Sequence, residues 1–348
     1  MKIIIDRDIP FIQGRITERV ETIYENGADI TPEMANDADA LVVRTRTRCN
    51  ENLLKDSNIR LIVSATIGTD HIDLPWCVKK GIEVRNAPGC NAPGVAQYVF
   101  ASLFRSGFDP TFHTLGIIGY GNVGKTVGEW AKEMGIKILV SDPPRKETGH
   151  KDVEYLPLEE VLEKSDAISF HVPLTKDGRH PTYHLLNKDN IKFIRKGGIV
   201  INSSRGGVVE EKSLIQYLRN GELKAIVDVW ENEPEINMEL LNLATIATPH
   251  IAGYSREGKI RGTRMALEAL NDTLDIKADL KGLELQPDRN LKISKKLIEN
   301  SYDPTVDSYA LKNAPYHFEI LRNNYNYRHE PLFSILNKLS EDNHKKES

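Results

Sequence analysis

An arginine, two carboxylates and a histidine each follow an apolar run in the second half of this sequence. Arg205 comes directly after GIVIN in NSSRGG, Asp228 closes IVDVW with Glu233 shortly beyond it in ENEP, and His250 sits in TPHIAGYS. If each run is a parallel strand, all of these residues leave from the same edge of one sheet. A guanidinium offers paired N–H donors in a planar fork that fits a carboxylate and the oxygen next to it. Histidine titrates near neutrality, so it can take a hydroxyl proton as hydride departs and return it in reverse. A carboxylate beside it fixes the ring and favours the charged form. The set suits hydride transfer at an alcohol carbon next to a carboxylate, with Arg205, Glu233 and His250 as candidate catalytic residues. Asp228 is expected to hold the carboxamide of a nicotinamide ring.

A hydride acceptor needs a cradle, and HTLGIIGYGNVGKTVGEWAKEMGIKILVSDPP reads as one. Leu115 to Ile118 predicts a buried strand, and Gly119, Gly121 and Gly124 have the G-x-G-x-x-G spacing of a dinucleotide turn. Such glycines permit a sharp turn, a close backbone approach to a pyrophosphate, and tight helix–strand packing. Val123, Val127, Trp130, Ala131 and Met134 recur at helical spacing behind them. The start of that helix would point free N–H groups at phosphates. Asp142, at the end of the next predicted strand, is placed to bond the adenosine ribose, which favours NAD over NADP. Arg145 nearby weakens that preference.

The elements that must position these groups alternate along the chain. Lys2–Ile5, Asp39–Arg44, Arg60–Ser64 and Ile82–Val84 read as strands, with helical stretches between them. Further strands are predicted at Ile136–Val140, Ala167–His171, Gly198–Asn202, Leu223–Val227 and Ala244–Ala247, with a long helix over Lys259–Leu274. This order predicts an α/β chain of two doubly wound, Rossmann-like parallel sheets. Past Gly282 the character changes: Glu284–Ser294 reads as a linker and possible strand, and Lys295–Asn300, Thr305–Lys312 and Phe318–Asn324 as short helices. The expected fold class therefore adds a small C-terminal α+β extension. Its tyrosines (Tyr302, Tyr309, Tyr316, Tyr325 and Tyr327) suit either a subunit interface or a cap on the same chain. From about Asn337 the polar tail is expected to be disordered.

Bulk properties narrow the partners. The 348 residues allow two full cores, and a net charge of −4 argues against a nucleic-acid-binding surface. Three widely spaced cysteines (Cys49, Cys77 and Cys90) suggest no disulfide framework and fit a reducing cytoplasm. The histidines show no H-E-x-x-H spacing, and no metal site is expected. No apolar run is long enough for a membrane span.

Taken together, NAPG at Asn86, GYGNVG at Gly119, NSSRG at Asn202, DVWENEP at Asp228 and TPHIAGY at Thr248 resemble the D-isomer-specific 2-hydroxyacid dehydrogenases. The resemblance covers about Met1 to Lys277. SATIGTDHID at Ser64, SDPPR at Ser141, PLTKDG at Pro173 and the C-terminal YDPTVDSYALKNAP and FEILRNNYNYRHE are similar to a branch whose extension makes a homodimer. It implies oxidation of a small phosphorylated 2-hydroxy acid with NAD as hydride acceptor. It implies NAD contacts at Gly119, Gly121, Asn122, Val123, Gly124, Asp142, Val172, Ser203, Ser204, Arg205, Asp228 and Gly253. Thr45, Thr66 and Tyr254 fall on positions that contact substrate, Thr45 standing where a serine is usual. Arg44 is the first candidate for the substrate phosphate, ahead of Arg46, Arg48, Lys259 and Arg261. Gln97 replaces a glutamate common in that family. The expected domains are 1–92 with 264–282 for substrate, 93–263 for NAD, 283–336 for dimerisation, and a tail over 337–348. Two other readings stay open: a relative acting on 3-phosphoglycerate, and an NAD-sensing corepressor without enzyme activity.

Overall fold

The computed structural model describes residues Met1–Phe333, so the expected tail lies outside the described residues. The chain forms two compact units, Met1–Asn91 with Arg256–Gln286, and Ala92–Ser255 with the residues from Pro287 on. The first holds strands β1 (Lys2–Asp6), β2 (Glu21–Glu25), β3 (Ala40–Val43), β4 (Leu61–Ser64) and β5 (Glu83–Arg85). They lie in the order β2-β1-β3-β4-β5, all parallel. Runs such as Ile3–Ile5 and Leu41–Val43 are wholly buried because both faces of a parallel sheet are covered. One cover is the long helix Arg256–Leu274, whose Ile260, Ala266, Leu267 and Leu270 pack with Ile3, Ile5, Val42 and Val63. The helix lies entirely in this unit, so the chain returns at Arg256 and not partway along the helix. Sequence reading did not find β2. Its ETIYE is a half-buried edge strand with glutamates at both ends, and it offers no apolar run.

The second unit holds β6 (Thr114–Ile118), β7 (Lys137–Ser141), β8 (Ala167–Phe170), β9 (Ile199–Asn202), β10 (Lys224–Val227) and β11 (Ile246–Ala247). Their order is β11-β10-β9-β8-β6-β7, again all parallel. From β6 the chain goes first to one side and then, at β8, to the other. This makes a topological switch point directly beyond Ile118, where ligands bind in open α/β sheets. Side chains alternate between the two faces: Ile117, Ile199 and Ile201 enter one core, and Ile118 and Val200 the other. The helix Ala92–Arg105 packs on the first face, beginning four residues earlier than its apolar run because Pro93 is tolerated in a first turn.

The extension is helical, which corrects the α+β expectation. It comprises Lys295–Ser301, Pro304–Asn313 and Phe318–Asn323, the first two capped by Ser294 and Asp303 side chains. No strand forms over residues 284–294; Pro287 and the charged residues around it deny the segment a ladder. The extension is also part of the second unit's core. Ile293 and Ile298 join the face of the helix Ala92–Arg105, while Leu311 and Phe318 join the opposite one with Trp230 and Ala247. Between them Ser308 Oγ accepts the Ala247 N–H at 3.0 Å, covering the edge strand β11.

Candidate active site

The glycine turn fills the switch point. Gly119 adopts φ +87°, and a Cβ there would stand 2.6 Å from both His171 O and the Val172 side chain. A Cβ on Gly124 would meet Gly119 O at 2.0 Å, so only glycine lets the helix Asn122–Glu133 start against the strand end. Gly121 faces open space, with nothing within 4 Å of the Cβ it lacks. It caps the helix without a side-chain hydrogen bond, which leaves the first-turn N–H groups of Asn122, Val123 and Gly124 for a ligand. Asp142 stands beside the turn, its Oδ2 accepting Tyr120 N–H at 2.7 Å and its Oδ1 accepting Arg145 N–H at 3.0 Å. Those bonds lock the carboxylate at the strand end and leave further lone pairs for ribose hydroxyls. Arg145 is otherwise occupied, bonded through Nε to Tyr155 and through Nη2 to Asp152.

The catalytic candidates arrive on three neighbouring strands. After β9, Ser204 folds its N–H and hydroxyl onto Asn202 Oδ1, and Asn202 Nδ2 donates to Arg205 O. Arg205 follows in an extended conformation, with Nη1 donating to Ser204 O at 2.7 Å. This loop lies against the one after β10: a Cβ on Gly206 would stand 1.9 Å from Trp230 O. Ser203 Oγ is buried without a hydrogen-bond partner among the described residues. An orphaned hydroxyl in this loop and an open glycine-turn helix fit the dinucleotide the motif implies.

After β10, Asp228 is buried and accepts from Thr248 Oγ1 at 2.6 Å, Ile251 N at 2.8 Å and Ala252 N at 2.9 Å. Burial raises its pKa against these bonds and the nearby imidazole. Sequence reasoning assigned it to a carboxamide; in the structure its oxygens shape the loop that carries His250. That loop holds His250 at φ +57°, a left-handed conformation fixed by its N–H bond to Asp228 O. The imidazole Nδ1 lies 2.8 Å from Glu233 Oε2, while Glu233 Oε1 accepts the Trp230 N–H at 3.0 Å. Burial pushes the Glu233 carboxyl up, but His250, the Trp230 N–H and Arg322 outweigh it and hold the pKa below its ordinary value. An ionised carboxylate takes its hydrogen bond from Nδ1–H, so Nε2 keeps the lone pair a base needs.

Two residues of the extension complete this cluster, and sequence reasoning missed both. Arg322 Nε donates to Tyr254 OH at 3.2 Å, and its Nη1 lies 3.8 Å from Glu233 Oε2. Arg328 is buried over the Tyr302 ring and donates to Ile251 O, Tyr254 O, Ala252 O and Gly94 O. Its Nε reaches Gln97 Oε1 at 3.0 Å, and Gln97 Nε2 donates to Ser301 Oγ and His329 O. The glutamine therefore serves as acceptor and donor at once, which a glutamate could not. Both arginines lie some seventy residues from the loop they hold, and no local spacing could have announced them. Tyr254 also meets Tyr325 and Tyr327 edge-on, Gly253 O accepts the Ser255 N–H, and Ser255 Oγ donates to Glu330.

The first unit carries the remaining candidates. Arg44 Nε and Nη2 are bonded to Asp6, and Nη2 also to Asp8 at 3.0 Å, so two carboxylates already answer its charge. Thr45, Arg46 and Arg48 are exposed. Thr66 Oγ1 lies 2.9 Å from Ser64 Oγ. Arg261 Nε donates to Cys90 O. In the second unit, His180 and His184 stand four apart in sequence but bond separate partners, Glu147 and Glu231. No group of His, Cys, Asp and Glu that could hold a metal occurs among the described residues. No helix among them is long and apolar enough to cross a membrane.

A family profile for the D-isomer specific 2-hydroxyacid dehydrogenase, NAD binding domain, matches residues 97–252. The chain is 45% identical over 340 residues to the erythronate-4-phosphate dehydrogenase of Bacteroides fragilis (strain YCH46), covering 95% of this chain and 97% of that protein. The chain belongs to the D-isomer-specific 2-hydroxyacid dehydrogenase family. It is an NAD-dependent dehydrogenase. The erythronate-4-phosphate dehydrogenase of Escherichia coli O157:H7 (strain EC4115) is 39% identical, with 95% of this chain and 92% of that one covered. Among solved structures, the Aquifex aeolicus D-lactate dehydrogenase complexed with NAD and lactic acid aligns with a TM-score of 0.66 at 26% identity. It covers 80% of this chain and 96% of its own. The NAD-bound 3-phosphoglycerate dehydrogenase of Entamoeba histolytica gives 0.62 at 28% identity, covering 81% and 97%.

Proposed function

We propose that this chain oxidises 4-phospho-D-erythronate at C2 to 2-oxo-3-hydroxy-4-phosphobutanoate, a step serving pyridoxal 5′-phosphate biosynthesis. The observation that carries the chemistry is the His250–Glu233 pair, 2.8 Å apart in the loops that follow β11 and β10 of the glycine-turn sheet. The substrate is argued from the 37–45% identity to erythronate-4-phosphate dehydrogenases over nearly the whole chain. NAD, when bound, supplies the hydride acceptor. His250 Nε2 takes the C2 hydroxyl proton, and the imidazolium is stabilised through Nδ1–H by Glu233. Arg205 receives the substrate carboxylate and the C2 oxygen in its fork. The first turn of the helix Asn122–Glu133 takes the pyrophosphate, Asp142 the ribose, and Val172, Ser203, Ser204, Asp228 and Gly253 line the nicotinamide end.

Thr45, Thr66 and Tyr254 are assigned to substrate contacts. The phosphate falls to the basic segment Arg44–Arg48, in which Arg44 is also bonded to Asp6 and Asp8. The protein is proposed to act in the cytoplasm as a homodimer. Val306, Tyr309, Tyr316 and Ile320 support the dimer, being large apolar groups left exposed on the extension. The test is NADH formation from 4-phosphoerythronate and NAD. Turnover lost in His250→Ala with NAD binding kept supports the reading, and loss of NAD binding overturns it.

A further inference from the structure

The Glu233–His250 pair is held from outside its own sheet. Glu233 Oε2 receives the imidazole at 2.8 Å on one side, and Arg322 Nη1 stands 3.8 Å from the same oxygen on the other. Glu319 Oε1 lies 3.6 Å from that Nη1, so the guanidinium sits between two carboxylates. Its Nε donates at the same time to the Tyr254 hydroxyl, four residues beyond the histidine. The helix that brings Arg322 here is anchored by Phe318, which is buried in the core beside Trp230. One planar cation thus touches both the acid that orients the base and a candidate substrate contact, a geometry an ammonium cannot reproduce.

Resting on the function proposed above, we propose that Arg322 is a positioning residue for proton transfer: it aims Glu233 at His250 and fixes the Tyr254 hydroxyl, making the extension part of the active site. Its charge also helps to hold the Glu233 carboxyl below its ordinary value. The other charged groups around the pair are Asp228 beneath His250 and Glu211 facing Glu233, both carboxyls whose pKa burial raises, and Glu319 behind Arg322. Removing the guanidinium takes away one of the charges that hold the Glu233 carboxyl below its ordinary value, so Glu233 is ionised, and orients the imidazole, only at higher pH.

The test is the pH profile of kcat/KM for NADH formation from 4-phosphoerythronate in Arg322→Gln and Arg322→Lys. The glutamine variant is expected to lose about tenfold in kcat and to move its acid limb up by about one pH unit, with NAD affinity unchanged. The lysine variant keeps the charge and should leave the limb in place while kcat falls partway. A glutamine variant with wild-type kcat, or with reduced kcat and an unmoved limb, overturns the proposal in favour of a structural role. Should the glutamine variant fail to fold, the lysine variant decides: wild-type kcat there overturns the proposal. His250→Ala is read alongside, because wild-type turnover in that variant defeats the assigned function and not the role of Arg322.

Discussion

Replacing Arg328 by alanine removes the donor that ties the extension to the loop after His250, and its cost can be worked from the bonds lost. Arg328 donates to Ala252 O, Tyr254 O, Ile251 O, Gly94 O and Gln97 Oε1. Ile251 O keeps a second donor, the Tyr254 N–H, and Gly94 O lies within a helix that supplies its own. Ala252 O and Gln97 Oε1 are left as buried acceptors. At about 1–2 kcal/mol each this amounts to about 2–4 kcal/mol, before any cavity beside Tyr302 is counted. A native domain has about 5–15 kcal/mol in all, so the variant should lose a large part of its stability. Relief from burying a guanidinium offsets part of this, and Arg328→Met, which fills the space, should cost less. Urea denaturation of the two variants beside the wild type measures both values. A loss below about 1 kcal/mol in Arg328→Ala would refute the idea that this side chain holds the loop together.

Other outcomes follow from the same geometry. His250→Ala should lower kcat by about 10²–10⁴-fold, read as NADH absorbance, while NAD titration by fluorescence stays near wild type. Arg205→Lys should raise KM for substrate and lower kcat, since one ammonium cannot match a carboxylate and its neighbouring oxygen; unchanged kinetics would count against Arg205 as the fork. Glu233 has a lowered folded-state pKa, so its stabilising contribution is full above the unfolded carboxyl value and is lost as pH falls through the folded one. Acid unfolding of Glu233→Gln should therefore depend less steeply on pH than that of the wild type. A double variant, Tyr309→Asp with Tyr316→Asp, should elute as a monomer in size-exclusion chromatography; an unchanged elution volume would place the subunit contact elsewhere. Point variants are the right tool, because cutting the chain after Gly282 would strip Ile293, Ile298, Leu311 and Phe318 from the core.

Much of the architecture was legible because its signals are local. Buried parallel strands write themselves as short apolar runs, and ten of those runs coincide with strands to within a residue or two. Local steric demands likewise reveal the glycine turn, since Gly119 and Gly124 have no room for a Cβ. His250 and Glu233 could be read as a pair because each follows a strand in a sheet whose edge gathers such loops. What escaped was non-local or unpatterned. β2 carries glutamates where an apolar alternation was sought. Asp228 reads as a ligand contact from its motif, yet three internal donors show it also builds the loop. Arg44 was favoured for its place at a strand end, and only the fold shows Asp6 and Asp8 closing on it. Arg322 and Arg328 act across long stretches of chain, where neither periodicity nor spacing carries information.

The most direct measurement is a substrate panel on the full chain: 4-phosphoerythronate, 3-phosphoglycerate, D-glycerate and D-lactate, each with NAD and a 2-oxo acid acceptor, compared by kcat/KM. The account predicts that 4-phosphoerythronate leads the panel and that its oxidation disappears in His250→Ala. A higher kcat/KM for 3-phosphoglycerate, or undiminished oxidation of 4-phosphoerythronate in the alanine variant, would contradict it.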